Sequence, residues 1–99
     1  MYADKIDKIE IDSIGRLCIT PHIKEFTLIY REAKDVHWDT TRKFLYSPPP
    51  REWSYLDWYK HILNVVEECN CALVLTDDTE WISVPLSLKT DICTLQSRI

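Results

Sequence analysis

The 99-residue chain holds a single glycine, Gly15. That scarcity excludes the glycine-rich phosphate loops and the G-x-S-x-G nucleophile elbow, each of which needs several glycines at fixed spacing. No run approaches 18 apolar residues, so no membrane-spanning helix is expected. The opening residues, Met1-Tyr2-Ala3-Asp4-Lys5, lack the apolar core of a secretory signal. These features predict a cytoplasmic protein with reduced thiols. There is no basic surplus either: 12 Lys and Arg face 16 Asp and Glu, a net charge of −4. Duplex nucleic-acid binders carry the opposite balance in order to displace counterions, so nucleic acid is disfavoured as a partner. An acidic domain suits a basic protein partner or a free existence.

Four cysteines are present, Cys18, Cys69, Cys71 and Cys93. Cys69 and Cys71 form a C-x-C pair, closer than the two to four intervening residues usual within a zinc ligand pair. His22, His37 and His61 are scattered and complete no ligand set. The cysteines therefore read as small buried hydrophobes, and no metal or cofactor is expected. Asp77, Asp78 and Glu80 read as a polar turn, because the longer pattern of an EF-hand loop is missing.

What the chain does have is 45% hydrophobic, 11% aromatic and 28% charged residues, an ordinary globular balance. A chain this long buries roughly 65% of its extended surface, enough for a single domain over residues 1–99. Apolar and charged residues alternate through Ile9 and Ile11, predicting a strand over 5–11. Asp12-Ser13-Ile14-Gly15 is a turn, and 16–20 returns as a second strand ended by Pro21. Residues 25–31 have strong strand composition, with Phe26, Leu28 and Tyr30 on one face. Val36-His37-Trp38 and Lys43-Phe44-Leu45-Tyr46, separated by Asp39-Thr40-Thr41-Arg42, read as another hairpin, stopped by Pro48-Pro49-Pro50.

Ser54 and Asp57 make a capping box, and Trp53 with Trp58 fits a hydrophobic staple. From there Tyr55, Trp58, Tyr59, Ile62, Leu63, Val66 and Cys69 recur at helical steps, and Asn70 suits a left-handed cap. Asp57, Lys60, His61, Asn64, Glu67 and Glu68 form the polar face. Strands over 71–76 and 81–84 read as a hairpin around the acidic turn, with Ile82 and Val84 on one face and Trp81 and Ser83 on the other. Leu88, Ile92, Leu95 and Ile99 predict a short C-terminal helix. The expected architecture is α+β: an antiparallel sheet of about five to seven strands, one long helix packed on one face, and that short C-terminal helix. A second sheet face rich in aromatics then invites a partner.

Eight aromatics, Tyr30, Trp38, Phe44, Tyr46, Trp53, Tyr55, Trp58 and Tyr59, fall within thirty residues, interleaved with Arg31, Arg42, Lys43 and Arg51. Such residues bury large areas with few rotors, which is why interface hot spots favour them. Most of these rings belong in a core, but one small core does not hide them all. The candidate contact residues are Tyr30, Arg31, His37, Trp38, Tyr46, Arg51, Trp53 and Trp81. His37-Trp38-Asp39 also places an imidazole and a carboxylate on one strand face, the minimum for acid–base chemistry, though a surface His beside a turn Asp is the commoner arrangement. A small enzyme or ligand-binding domain with a pocket near His37 and Asp39 is the alternative reading.

The segment from Phe44 to Tyr59, with Ile9-Glu10-Ile11-Asp12 and with Tyr30-Arg31-Glu32-Ala33 leading into Val36-His37-Trp38-Asp39, resembles small proteins carried by mobile gene cassettes of bacterial integrons. The resemblance implies a bacterial accessory protein and carries over no active-site residue. Immunity or antitoxin roles against a basic partner fit small acidic members. The residues together predict a non-enzymatic binding or self-assembling module, a homodimer or a partner of another protein, that uses an aromatic-rich surface.

Overall fold

A computed structural model describes residues 2–27, 29–31, 35–49 and 54–96, with the backbone alone at Tyr2, Tyr30 and Gln96. Among these residues, six strands and two α-helices follow one another as β1 (Tyr2–Ile11), β2 (Leu17–Pro21), β3 (His37–Asp39), β4 (Phe44–Tyr46), α1 (Tyr55–Glu68), β5 (Cys71–Val74), β6 (Glu80–Ile82) and α2 (Leu86–Gln96). The sheet runs β3-β4-β2-β1-β5, with β6 also paired to β1.

The α+β class and the C-terminal helix match the sequence reading. The purely antiparallel sheet does not: β5 and β6 both run parallel to β1. The expected hairpin between them is replaced by two successive strands on one edge of β1. Val74 pairs with Lys5 and Glu80 with Lys8, so residues 75–79 bulge out across a gap of only two residues on β1. The Thr79 hydroxyl fills that gap: it donates to the Ile6 carbonyl at 2.6 Å and accepts from the Thr76 N–H at 3.1 Å. A buried carbonyl that would lack a ladder partner is thus satisfied by a side chain.

Among the described residues of 25–31 the expected strand is also absent. Its C-terminal end is a 3₁₀ turn, Ile29–Arg31, in which the Ile29 N–H donates to the Phe26 carbonyl. Phe26 and Ile29 are buried three residues apart, a helical rather than a strand spacing. The buried Asp4 carboxylate holds the preceding loop, accepting from the Ile23 and Lys24 N–H groups at 2.9 and 2.8 Å.

β1 and β2 pair antiparallel, with a bulge between Ile6 and Lys8. The extra residue, Asp7, reverses the face parity of the strand. Ile6 before it and Ile9 after it, three apart in sequence, therefore both reach the core. The hairpin turns at Gly15, whose φ of 87° favours glycine.

The helix expected to be long is α1, at 14 residues a helix of ordinary length. Its capping box is formed: Ser54 Oγ accepts from the Asp57 N–H at 3.2 Å, and Asp57 accepts from the Ser54 N–H at 3.3 Å. Asn70 takes the left-handed conformation at φ 62°. Trp58, Tyr59, Ile62, Val65 and Val66 are its buried residues. They meet Ile6, Ile9, Leu17, Ile19, Leu45, Cys71 and Leu73 from the sheet and Ile92 from α2 in one cluster. Trp53, the other half of the expected staple, lies outside the described residues. No helix among the described residues is long and apolar enough to cross a membrane.

Candidate functional site

Strand alternation sends one set of side chains to this core and the other set to the opposite face, away from both helices. On that second face the register aligns a row across the sheet: Ile82, Glu10, Cys18, Tyr46 and His37. Tyr46 on β4 is its focus. The His37 ring from β3 stacks on it, with centroids 5.2 Å apart and planes 28° apart. From the turn just before β2, the neighbouring strand on the other side, the Arg16 guanidinium lies 4.5 Å from the Tyr46 ring centroid. Phe44 meets Tyr46 edge-on at 5.9 Å. A cation over a ring face and offset aromatic pairs both follow the ring quadrupole.

Arg16 is itself positioned by the β1–β2 turn. Its Nε donates to Asp12 Oδ2 at 2.6 Å, and its backbone N–H donates to Asp12 Oδ1 at 2.8 Å. The Tyr55 hydroxyl, from the first turn of α1, donates to the Gly15 carbonyl at 2.9 Å and ties the turn to the helix. The chain of support therefore runs from α1 through the turn to Arg16 and on to Tyr46. Cys18 lies beneath, its thiol 3.9 Å from Asp12 Oδ2. Burial first, and then the Asp12 charge, push this thiol up to about 12, which makes it a poor nucleophile at neutral pH. Burial likewise raises the Cys71 thiol, with Asp4 adding to the effect. No disulfide joins any of the four cysteines.

Burial acts to raise the Asp12 carboxyl, but the Arg16 N–H and guanidinium outweigh it and hold the group below its ordinary value. A depressed folded pKa contributes stability above the unfolded value, roughly 4, and that stability is lost as pH falls through the folded pKa. Wild type is therefore expected to be more stable than Asp12→Asn at pH 7, with the gap closing toward pH 3. Urea denaturation at the two pH values checks this, and a gap independent of pH would refute it.

Of the sequence-derived candidates, the structure brings His37 and Tyr46 together. Trp38 and Trp81 sit on the core side instead. Trp38 packs edge-on against Phe26 at 5.9 Å, and its buried indole N–H has no acceptor among the described residues. Trp81, paired in register with the buried Ile9, lies under Lys89 Nζ at 5.4 Å. Val84 packs against the same core as Trp81, so the expected face assignment of that segment, with Ile82 and Val84 together, does not hold beyond Ile82. The reason is that Ser83 adopts φ 55°, which breaks the strand. Arg31 is exposed at the end of the 3₁₀ turn. The Tyr30 side chain, Arg51 and Trp53 lie outside what is described. Asp39 Oδ1 accepts from the Thr41 and Arg42 N–H groups, both at 2.9 Å, and among the described residues no hydrogen bond joins it to His37. Among the described residues no three His, Cys, Asp or Glu side chains gather as a metal site.

Sequence reasoning missed Arg16 and Asp12 as parts of this face. The signal was available: a hairpin turning at Gly15 puts Arg16 and Cys18 on the same face, two residues apart. What could not be read was that β4 would lie beside β2.

The family model described as Integron Cassette Protein Hfx_Cass5 matches residues 4–79. A solved structure of the integron cassette protein Hfx_Cass5, from the mobile metagenome of the North West Arm sewage outfall, is 38% identical to the chain. It covers 98% of each chain, with a TM-score of 0.50. Comparison with curated proteins yields no match.

Proposed function

The chain belongs to the Hfx_Cass5 family of integron cassette proteins, and from that premise we propose that it is a non-enzymatic binding module that self-associates as a homodimer through the helix-free sheet face. The observation that carries this reading is Tyr46 held between Arg16 and His37 at the middle of that face. Tyr and Arg, pre-ordered by stacking and by the Asp12 ion pair, lose little rotamer freedom on contact, and interface hot spots have this composition.

Three features favour a second copy as the occupant. The outer strands β3, β5 and β6 are three, four and three residues long, too short to template edge-to-edge pairing, so a face is the better surface. On β1, Lys8 Nζ and Glu10 Oε1 lie 3.9 Å apart, and a two-fold axis passing between them turns one pair into two reciprocal pairs. The acidic groups Asp57, Glu67 and Glu68 are on α1, across the core from this face, which reduces repulsion between like copies. The net charge of −4 favours protein over single-stranded nucleic acid as the occupant.

Sedimentation equilibrium of wild type and Tyr46→Ala tests the reading. Wild type is expected to dimerise, and the variant to weaken association by about 30-fold or more, a hot-spot effect of about 2 kcal/mol or more. Far-UV circular dichroism should stay unchanged, since Tyr46 is half-buried and outside the main core. A wild-type monomer at every concentration, or equal association of the two proteins, would overturn it.

A further inference from the structure

The C-terminal helix differs from the rest of the fold in how little holds it. Of its described side chains only Ile92 is fully buried, with Leu88 and Leu95 half-buried against the core. Leu86 at its start is 76% exposed. α1, by contrast, buries five residues. The helix leans on α1 and holds β6 through Lys89, whose ammonium covers the Trp81 ring at 5.4 Å. Its root is strained: Ser83 sits at φ 55°, a conformation that L side chains rarely adopt, two residues before Pro85. Proline at that position limits the conformations open to the root.

We infer that α2 is a strap that opens as a unit from α1 and β6, baring Trp81 and the part of α1 beneath it, while the sheet and α1 stay folded. Units with few buried contacts open at lower free energy than the global transition, and the contacts here divide in that way. Ile92 is the anchor, Lys89 is the latch on Trp81, and Ser83 is the hinge. In the closed state Lys89 shields the indole. In the open state Trp81 and the α1 surface form an apolar patch that is otherwise hidden. This inference does not depend on the dimer face, which lies on the opposite side of the sheet.

Native-state hydrogen exchange of the full-length protein, read by mass spectrometry, tests it. Amides from residue 90 to 96, beyond the unprotected first turn, are expected to exchange about 100-fold or more faster than those of Ile9 and Ile62. Ile92→Ala and Ser83→Val both raise the closed state relative to the open and the unfolded states alike, so each should speed the α2 amides by a further tenfold or so. Leu45→Ala, on β4, removes packing that survives when the strap is open, so it should speed the β1 and α1 amides by tenfold or more and leave those of α2 unchanged. Exchange of α2 at the rate of α1 would overturn the inference. So would a Leu45→Ala effect that is equal in α2, α1 and β1.

Discussion

Insertion of one alanine between Lys8 and Ile9 is expected to abolish cooperative folding, whereas Asp7→Ser is expected to cost less than about 1 kcal/mol. The difference lies in counting residues rather than in chemistry. Asp7 is the extra residue of the β1 bulge, and among the described residues its carboxylate is engaged only with the exposed His22 ring, at 3.0 Å. Substitution keeps the bulge and loses a surface pair of small worth. An inserted residue beyond the bulge shifts the strand by one, so Ile6 and Ile9, both fully buried, can no longer face the core together. An isoleucine turned outward loses about 1.5–3 kcal/mol of burial, and the charged Glu10 turns inward in exchange. β1 pairs with β2, β5 and β6, so this misalignment spreads through the sheet. Urea titrations followed by tryptophan fluorescence and circular dichroism check both variants. A cooperative transition for the insertion would contradict the parity argument.

Tyr59→Ala carries the second large effect. Tyr59 is the bulkiest of the fully buried side chains and sits where α1 meets the sheet. Truncating a buried aromatic costs about 3–5 kcal/mol, from lost transfer energy and from the cavity left behind. A protein of this size has about 5–15 kcal/mol of stability in total, so the variant should lie near the edge of folding. The expected sign is a much lower urea midpoint with an unchanged slope. A midpoint within experimental error of wild type would mean that α1 is not the main cover of the sheet.

Local signals were legible and distant ones were not. The capping box at Ser54 and Asp57, the left-handed Asn70, the turn at Gly15 and the β3–β4 hairpin all depend on neighbours a few residues apart. Each was written in the residues themselves. The parallel pairing of β5 and β6 with β1 joins residues about seventy positions apart, and nothing local in Cys71–Val74 or Glu80–Ile82 states its direction. Residues 25–31 have strand composition, yet the Asp4 carboxylate, nineteen and twenty residues away, fixes the loop before them. There tertiary context outweighs propensity. The same limit applies to the site. His37 and Tyr46 were identifiable as candidates, but their stacking depends on hairpin register, and the approach of Arg16 depends on β2 lying beside β4. Trp38 and Trp81 stood out by residue type, yet the register turns both inward.

We propose that two copies meet on the helix-free sheet face, built around Tyr46. A dilution series of two-dimensional NMR spectra tests this residue by residue. Resonances of Arg16, Cys18, His37, Phe44 and Tyr46 are expected to shift together with concentration, while those of the exposed polar face of α1 stay still. Spectra that do not change with concentration, or shifts confined to the helices, would contradict it.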